Sequence, residues 1–247
     1  MATDSINKSE EQESAAWKGV RVAVTGGTSG LGLALVEHLL GRGAKVVFVA
    51  RNRDGVDRVA RERAGAHGIT GDVAEKDDIY PIAIQILGAV GGLDVLINNA
   101  SSLGPVPLAP LADTSCEDFE LALETNLLGP FRLTKALLGA LAASAREGRS
   151  PLVVNISSDA AINAYPNWGA YGASKAALHH LSEVWNTELR VQGIQVISWD
   201  PGDMDTPLHA IAVPGADPTA LRRPEDAARE LISKIEGHIS TLREAGR

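Results

Sequence analysis

Three residues carry side chains suited to moving a proton to or from an oxygen: Ser158, Tyr171 and Lys175. Tyr171 and Lys175 stand four positions apart in a helical pattern, on one helix face and a turn apart. A phenol with a pKa of about 10 is a poor acid–base catalyst at neutral pH. A neighbouring ammonium stabilises the phenolate and is expected to bring Tyr171 down into a useful range. Ser158 ends an apolar run ahead of Tyr171, and its hydroxyl can orient or polarise a carbonyl; Ser157 beside it is the rival. A lone Tyr-x-x-x-Lys is also what a solvated helix surface produces, so the pair gains meaning from its surroundings.

A second cluster reads Thr25-Gly26-Gly27-Thr28-Ser29-Gly30-Leu31-Gly32. Glycines let the backbone turn sharply and approach a diphosphate, and a helix N-terminus offers it unpaired N–H groups. By glycines alone, a tight turn without ligand reads the same. The next apolar run, Lys45–Ala50, is followed by Arg51-Asn52-Arg53. In a dinucleotide fold an acidic residue at this point binds the adenosine ribose of NAD, and a basic one accepts the extra phosphate of NADP. Arg51 therefore favours NADP(H) over NAD(H), since a guanidinium suits a phosphate; two arginines on a solvated loop is the plain alternative.

These groups need a scaffold, and the apolar pattern supplies one. Strand-like runs at Arg21–Thr25, Lys45–Ala50, His67–Val73, Leu93–Asn98, Pro151–Ile156 and Gln195–Trp199 alternate with helical patterns at Leu31–Leu40, Asp54–Ala64, Glu75–Ala89, Ser115–Glu147 and Ala170–Gln192. A last helix starts near Pro224. Nearly all-apolar strands alternating with helices imply an α/β fold. We expect a doubly wound, Rossmann-like parallel sheet of six to seven strands with helices on both faces, its ligand at the carboxyl edge. Residues 1–16 are polar and read as a flexible tail, and 17–247 as a single domain.

The spacing Thr-Gly-x-x-x-Gly-x-Gly, followed by Asn98-Asn99-Ala100, by Ser158, Tyr171 and Lys175, and by Pro201-Gly202 with Thr206, resembles the short-chain dehydrogenase/reductase family. The resemblance spans about Lys18 to Glu236. It implies hydride transfer between a nicotinamide cofactor and a carbonyl or secondary alcohol. Tyr171 would exchange the proton, Ser158 polarise the oxygen, and Lys175 tune Tyr171 and hold the nicotinamide ribose. It also implies cofactor contacts from Gly26, Thr28, Ser29, Gly30, Leu31, Gly32, Arg51, Asp72, Val73, Asn99, Ala100, Pro201, Gly202 and Thr206.

Asn126 resembles the family's fourth catalytic residue, where a water links the lysine to solvent. Pro130, four positions on, has no N–H and leaves the Asn126 carbonyl without its helical partner. A simple kink at Gly129-Pro130 is compatible with the same residues. The stretch 206–221, with His209, corresponds to a mobile substrate loop in the family. Tyr165 and Trp168 either wall the pocket or pack a loop.

The sequence departs from the family pattern at Ala50, where NAD-preferring members have Asp, and at Ser101, where glycine is usual. The segment Arg223–Arg247 shows no glycine-rich seventh strand. That strand helps form one interface of the family's tetramer, so a homodimer is expected first and a tetramer second.

Composition excludes other classes. Lys and Arg total 23 against 31 Asp and Glu, a net charge of −8, so no basic face for nucleic acid is expected. No apolar run is long enough to span a bilayer. One cysteine, Cys116, and six histidines form no metal-ligand pattern. With a single cysteine and no secretory leader pattern, a cytoplasmic location is expected. The partner is then a small carbonyl or alcohol, with carbonyl reduction by NADPH the favoured direction. An NADP(H)-sensing or scaffold protein on the same fold is the alternative, and a nucleotide-sugar epimerase or dehydratase the third reading.

Overall fold

The computed structural model describes residues 16–245, with side chains through His238; the predicted tail, apart from Ala16, lies outside the described residues. Six strands form one parallel sheet: β1 (Arg21–Thr25), β2 (Lys45–Ala50), β3 (Ala66–Thr70), β4 (Val95–Asn98), β5 (Leu152–Ile156) and β6 (Gln195–Trp199). Their order is β3-β2-β1-β4-β5-β6. The chain starts at β1, winds outward one way to β3, then crosses back to β4 beside β1. A crevice opens at the carboxyl ends where the winding reverses. Among the described residues there is no seventh strand.

Helices α1 (Gly30–Gly41), α2 (Arg53–Glu62), α3 (Ile79–Val90), α4 (Cys116–Leu123), α5 (Gly129–Arg146), α6 (Gly169–Leu189), α7 (Pro207–Ala212) and α8 (Pro224–Ala245) connect and cover the strands. β1, β4 and β5 are buried along their whole lengths. One core cluster joins Val22, Val24 and Phe48 to Leu35 and Leu39 of α1 and to Leu231 and Ile235 of α8. The other joins Val47 and Leu96 to Ile82 and Ile86 of α3 and to Leu133 and Leu137 of α5. Each large aliphatic side chain so buried contributes roughly 1.5–3 kcal/mol. Among the described residues, no helix is long and apolar enough to cross a membrane.

Two differences from the sequence pattern matter for the site. β3 stops at Thr70, before Asp72 and Val73. There Gly71 N–H bonds the Ala50 carbonyl and the Asp72 carboxylate takes the Ala74 N–H at 2.9 Å, which turns the chain out of the ladder. The long helix over 115–147 is also not one α-helix. Glu124–Leu128 widens into a π-turn whose Gly129 N–H reaches back to the Glu124 carbonyl. Pro130 offers no N–H at this point, and the extra residue turns Thr125 and Asn126 into the protein, where they are 3% and 0% exposed.

Candidate active site

Helix α6 carries Tyr171 and Lys175 in its first two turns, both buried. A polar relay fastens this helix to the sheet. Asn98 Nδ2 donates to Asn155 Oδ1 at 2.7 Å, Asn155 Nδ2 to Ser182 Oγ at 2.8 Å, and Ser182 Oγ to the Leu178 carbonyl at 2.6 Å. Lys175 Nζ donates to the Ile156 carbonyl at the end of β5, at 2.8 Å, and lies 5.5 Å from the Tyr171 ring centre. Burial pushes the Lys175 ammonium down to about 8, opposed by the charge of Asp200. Burial also pushes the Tyr171 phenol up to about 12; the Ser158 and Ser101 hydroxyls, hydrogen-bonded to it, pull the other way, and Asp200 and Asp159 add to the rise.

This corrects the expectation that Lys175 depresses Tyr171. Desolvation dominates, and the Lys175 ammonium, whose hydrogen bond runs to Ile156, is not among the groups that set the phenol. Tyr171 is therefore a neutral phenol at neutral pH, a proton donor.

Ser158 follows β5 and caps the short turn Asp159–Ala161, accepting the Ala160 N–H at 3.2 Å. Asn126 is fully committed to protein partners. Its Nδ2 donates to the Ser102 carbonyl at 2.7 Å and to Ser174 Oγ at 2.8 Å. Its Oδ1 accepts from Ser102 N–H at 2.8 Å and from Ser101 Oγ at 3.1 Å. Ser174 Oγ in turn donates to the Tyr171 carbonyl at 2.7 Å. Asn126 thus clamps the loop after β4 onto α6. Neither Ser101 nor Ser174 has a role legible in the sequence; for Ser101 the departure from glycine is the available signal.

The glycine-rich turn joins β1 to α1. Gly26 and Gly30 have φ of +71° and +50°, where only glycine is unstrained. A Cβ on Gly32 would stand 2.1 Å from the Gly26 carbonyl oxygen. Thr25 Oγ1 accepts the N–H groups of both Asn99 and Ala100 at 3.0 Å, and Asn99 Nδ2 donates to the Thr25 carbonyl at 2.9 Å. The ends of β1 and β4 are thereby locked edge to edge. Ser29 precedes α1 with its hydroxyl unused as a cap.

All of this faces one cleft of about 790 Å³. Its lining includes Gly26, Thr28, Ser29, Gly30, Leu31, Arg51, Asp72, Val73, Asn99, Ala100, Ser158, Tyr171, Lys175, Pro201, Gly202 and Thr206, together with Tyr165, Trp168 and His209. Two candidate residues stand behind its wall: Gly32 packs within the turn, and Asn126 lies under Ser101 and Ser102. Arg51 reaches outward, its side chain 60% exposed and 3.8 Å from the Asp72 carboxylate. Arg58 of α2, which no sequence pattern marks, donates to the Thr28 carbonyl at 3.3 Å and adds positive charge there. The stretch read as a mobile loop contains α7, started by Thr206, whose hydroxyl accepts the His209 N–H at 3.2 Å.

The cleft's chemistry fits a dinucleotide. It combines a left-handed glycine turn, a free helix N-terminus and a flanking guanidinium. Thr125 Oγ1 and Ser157 Oγ, buried in its lining, have no hydrogen-bond partner among the described residues.

A family model for short chain dehydrogenases matches residues 21–216. The chain belongs to this family. Short chain dehydrogenases are oxidoreductases that use a nicotinamide cofactor and act on small molecules. The chain is 32% identical over 205 residues to an L-fucose dehydrogenase of Mus musculus, covering 83% of this chain and 72% of that protein. It is 33% identical over 193 residues to a 2,5-dichloro-2,5-cyclohexadiene-1,4-diol dehydrogenase of Sphingobium indicum, covering 77% and 74%. Among solved structures, a 3-ketoacyl-(acyl-carrier-protein) reductase from Brucella melitensis, complexed with NADH, superposes with a TM-score of 0.80 at 26% identity, covering 87% of this chain and 90% of that one. A short chain dehydrogenase from Shigella flexneri, complexed with NADP, superposes with a TM-score of 0.77 at 28% identity, covering 85% and 87%.

Proposed function

We propose that this short chain dehydrogenase is an NADP(H)-dependent oxidoreductase that interconverts a carbonyl and a secondary alcohol, with carbonyl reduction favoured. The observation that carries the reading is the meeting of Ser158, Tyr171 and Lys175 in the cleft that also holds the glycine-rich turn. When bound, the nicotinamide cofactor supplies or accepts the hydride. Tyr171 Oη gives its proton to the substrate oxygen in reduction. Ser158 Oγ polarises that oxygen. Lys175, held at the Ile156 carbonyl, keeps a positive charge beneath the reacting group at neutral pH. Asn126 holds the Ser101–Ser102 loop and α6 in register. A protonated phenol is the form that reduction needs.

The NADP(H) preference rests on Arg51 beside the cleft, with Arg58 near the turn. Among the neighbours, one is complexed with NADH and another with NADP, so the reading of the preference rests on Arg51 and Arg58 alone. The relatives' names span a sugar and a chlorinated ring diol. A homodimer through the outer faces of α5 and α6 remains our reading of the assembly, checked by light scattering. The function is tested by following NADPH oxidation over a panel of ketones and aldehydes, with NADH and Tyr171→Phe alongside. Turnover with NADPH that Tyr171→Phe abolishes is expected. Tight NADPH binding without turnover would favour the sensor reading.

A further inference from the structure

The substrate half of the cleft has its own chemistry. It narrows the class of molecule served by the proposed hydride transfer, and that substrate class stands on the hydride-transfer reading. Leu103 and Ala160 are buried against Tyr171, with Trp168, Leu208 and Ala212 packed around them. Trp168 meets the Tyr171 ring edge to face, with centres 5.6 Å apart and planes at 69°. Toward the mouth, Ile211 and Val213 of α7 and its exit line the cleft while 47% and 40% exposed. Large aliphatic side chains left half in water beside a reacting group gain free energy when an apolar ligand covers them.

Charge points the same way. Among the described residues, the cleft's fully cationic side chains are Arg51, at the glycine-turn end, and Lys175, buried and bonded to Ile156. Asp159 and Asp200 act electrostatically on Tyr171, and Asp203 on Tyr165. A carboxylate or phosphate next to the reacting carbon would meet like charge and no guanidinium of the cleft lining. Some polar groups there already have partners, while Ser157 Oγ and His209 Nδ1 are buried without one among the described residues. Tyr165 Oη donates to Asp159 at 2.6 Å, Asp200 accepts the Gly202 N–H at 2.9 Å, and Thr206 Oγ1 accepts the His209 N–H at 3.2 Å.

We propose that the substrate is an uncharged ketone, or the matching secondary alcohol, whose carbon skeleton is an apolar ring or chain lying against Leu103, Trp168, Leu208 and Ile211. In the reductive direction the carbonyl carbon takes the hydride of the reduced cofactor. The carbonyl oxygen takes the Tyr171 proton, and the products are the secondary alcohol and the oxidised cofactor.

The test compares kcat/KM for cyclohexanone, 4-tert-butylcyclohexanone, 1-tetralone and pyruvate with NADPH, and for cyclohexanol and L-fucose with NADP⁺. The ketones are expected to lead, gaining about three- to fourfold per added buried methylene. In Ile211→Asp, a substitution at a half-exposed position that the fold tolerates, the ratio of kcat/KM for 1-tetralone to that for cyclohexanone is expected to drop about tenfold. A second readout needs no turnover: calorimetric titration of 1-tetralone into the protein saturated with NADP⁺, with micromolar-range binding expected and weakened in Ile211→Asp. Preference for L-fucose or pyruvate would overturn the substrate class and leave hydride transfer standing. Binding of 1-tetralone without turnover of any carbonyl would support the apolar site and overturn the hydride-transfer reading. Neither binding nor turnover would overturn both.

Discussion

Ser101 donates its hydroxyl to Asn126 Oδ1 at 3.1 Å and also lies in hydrogen-bonding reach of the Tyr171 phenol. It stands where the Asn-Asn-Ala-Gly pattern has glycine. Two hydroxyls, Ser101 and Ser158, therefore oppose the rise that burial imposes on Tyr171. Removing one hydrogen bond of about 1 kcal/mol lowers a rate about fivefold. Ser101→Ala is expected to lower kcat about three- to tenfold. Because Ser101 can turn its one proton from Asn126 Oδ1 to a forming phenolate, its loss makes the phenol harder to ionise, and the rising limb of the alcohol-oxidation pH profile should move to higher pH. Asn126 Oδ1 keeps the Ser102 N–H, so thermal stability should change little. A large loss of melting temperature with an unmoved pH limb would reduce Ser101 to a structural part.

Lys175 makes a prediction of opposite sign for stability and for activity. Its pKa falls from 10.5 when unperturbed to about 8 in the folded protein, because its ammonium is buried. At pH 7 it is charged in both states, and keeping that charge inside costs the fold on the order of 2–3 kcal/mol. Lys175→Met removes the charge but leaves the Ile156 carbonyl unpaired, at about 1 kcal/mol. The ligand-free variant should be about 1–2 kcal/mol more stable at pH 7 and nearly inactive. From about pH 8 to 10.5 the unfolded chain binds more protons than the folded one, so wild-type stability rises with pH in that window relative to the variant. Urea midpoints at pH 7 and pH 10 check this; a gap that stays constant would mean Lys175 keeps its proton. Reduction should weaken as pH rises through about 8, where that charge is lost.

Arg51 is largely exposed and, among the described residues, paired with Asp72 alone at 3.8 Å, a pair worth little in water. It is free to swing to a phosphate. A charge-assisted pair contributes about 1.5–3 kcal/mol, so Arg51→Ala should weaken NADPH binding about ten- to hundredfold and NADH binding little. Fluorescence titration of both nucleotides at two salt concentrations decides it. Equal losses for both would remove the basis of the NADP(H) preference.

The parts readable in the sequence are those governed by local periodicity. β1 and β6 run over Arg21–Thr25 and Gln195–Trp199 as the apolar runs indicate, and α8 starts at Pro224. α7 escapes the sequence pattern although Thr206-Pro207 is a cap followed by a helix-compatible proline; its few residues give no periodicity to count. The network around Asn126 links Ser101, Ser102 and Ser174, up to 48 positions away, and nothing local in the sequence marks such pairs. The depressing effect expected of Lys175 on Tyr171 failed for a related reason. Two residues on one helix face give their spacing, but the desolvation that dominates comes from Leu103, Ala160 and Trp168 closing over the ring.

Two glycines of α1 separate local from long-range demands. Gly32 sits where a Cβ would approach the Gly26 carbonyl oxygen to 2.1 Å and Asn99 Nδ2 to 2.6 Å, and the first of these is backbone that cannot rotate away. Gly41, at the other end of the helix, has open space around it and no positive φ. In an exposed helix, alanine is preferred to glycine by about 0.5–1 kcal/mol. Gly41→Ala should therefore hold or raise stability and leave NADPH binding unchanged. Gly32→Ala has the same local helix gain, yet it must push apart the turn and the Asn99 amide that bonds the Thr25 carbonyl. It should cost about 2–3 kcal/mol or more, as overpacking does, and abolish measurable NADPH binding. Melting temperature and calorimetric NADPH titration on both variants check the pair; a Gly32→Ala protein that binds NADPH normally would mean that the close approach of turn and helix is not what shapes the diphosphate site.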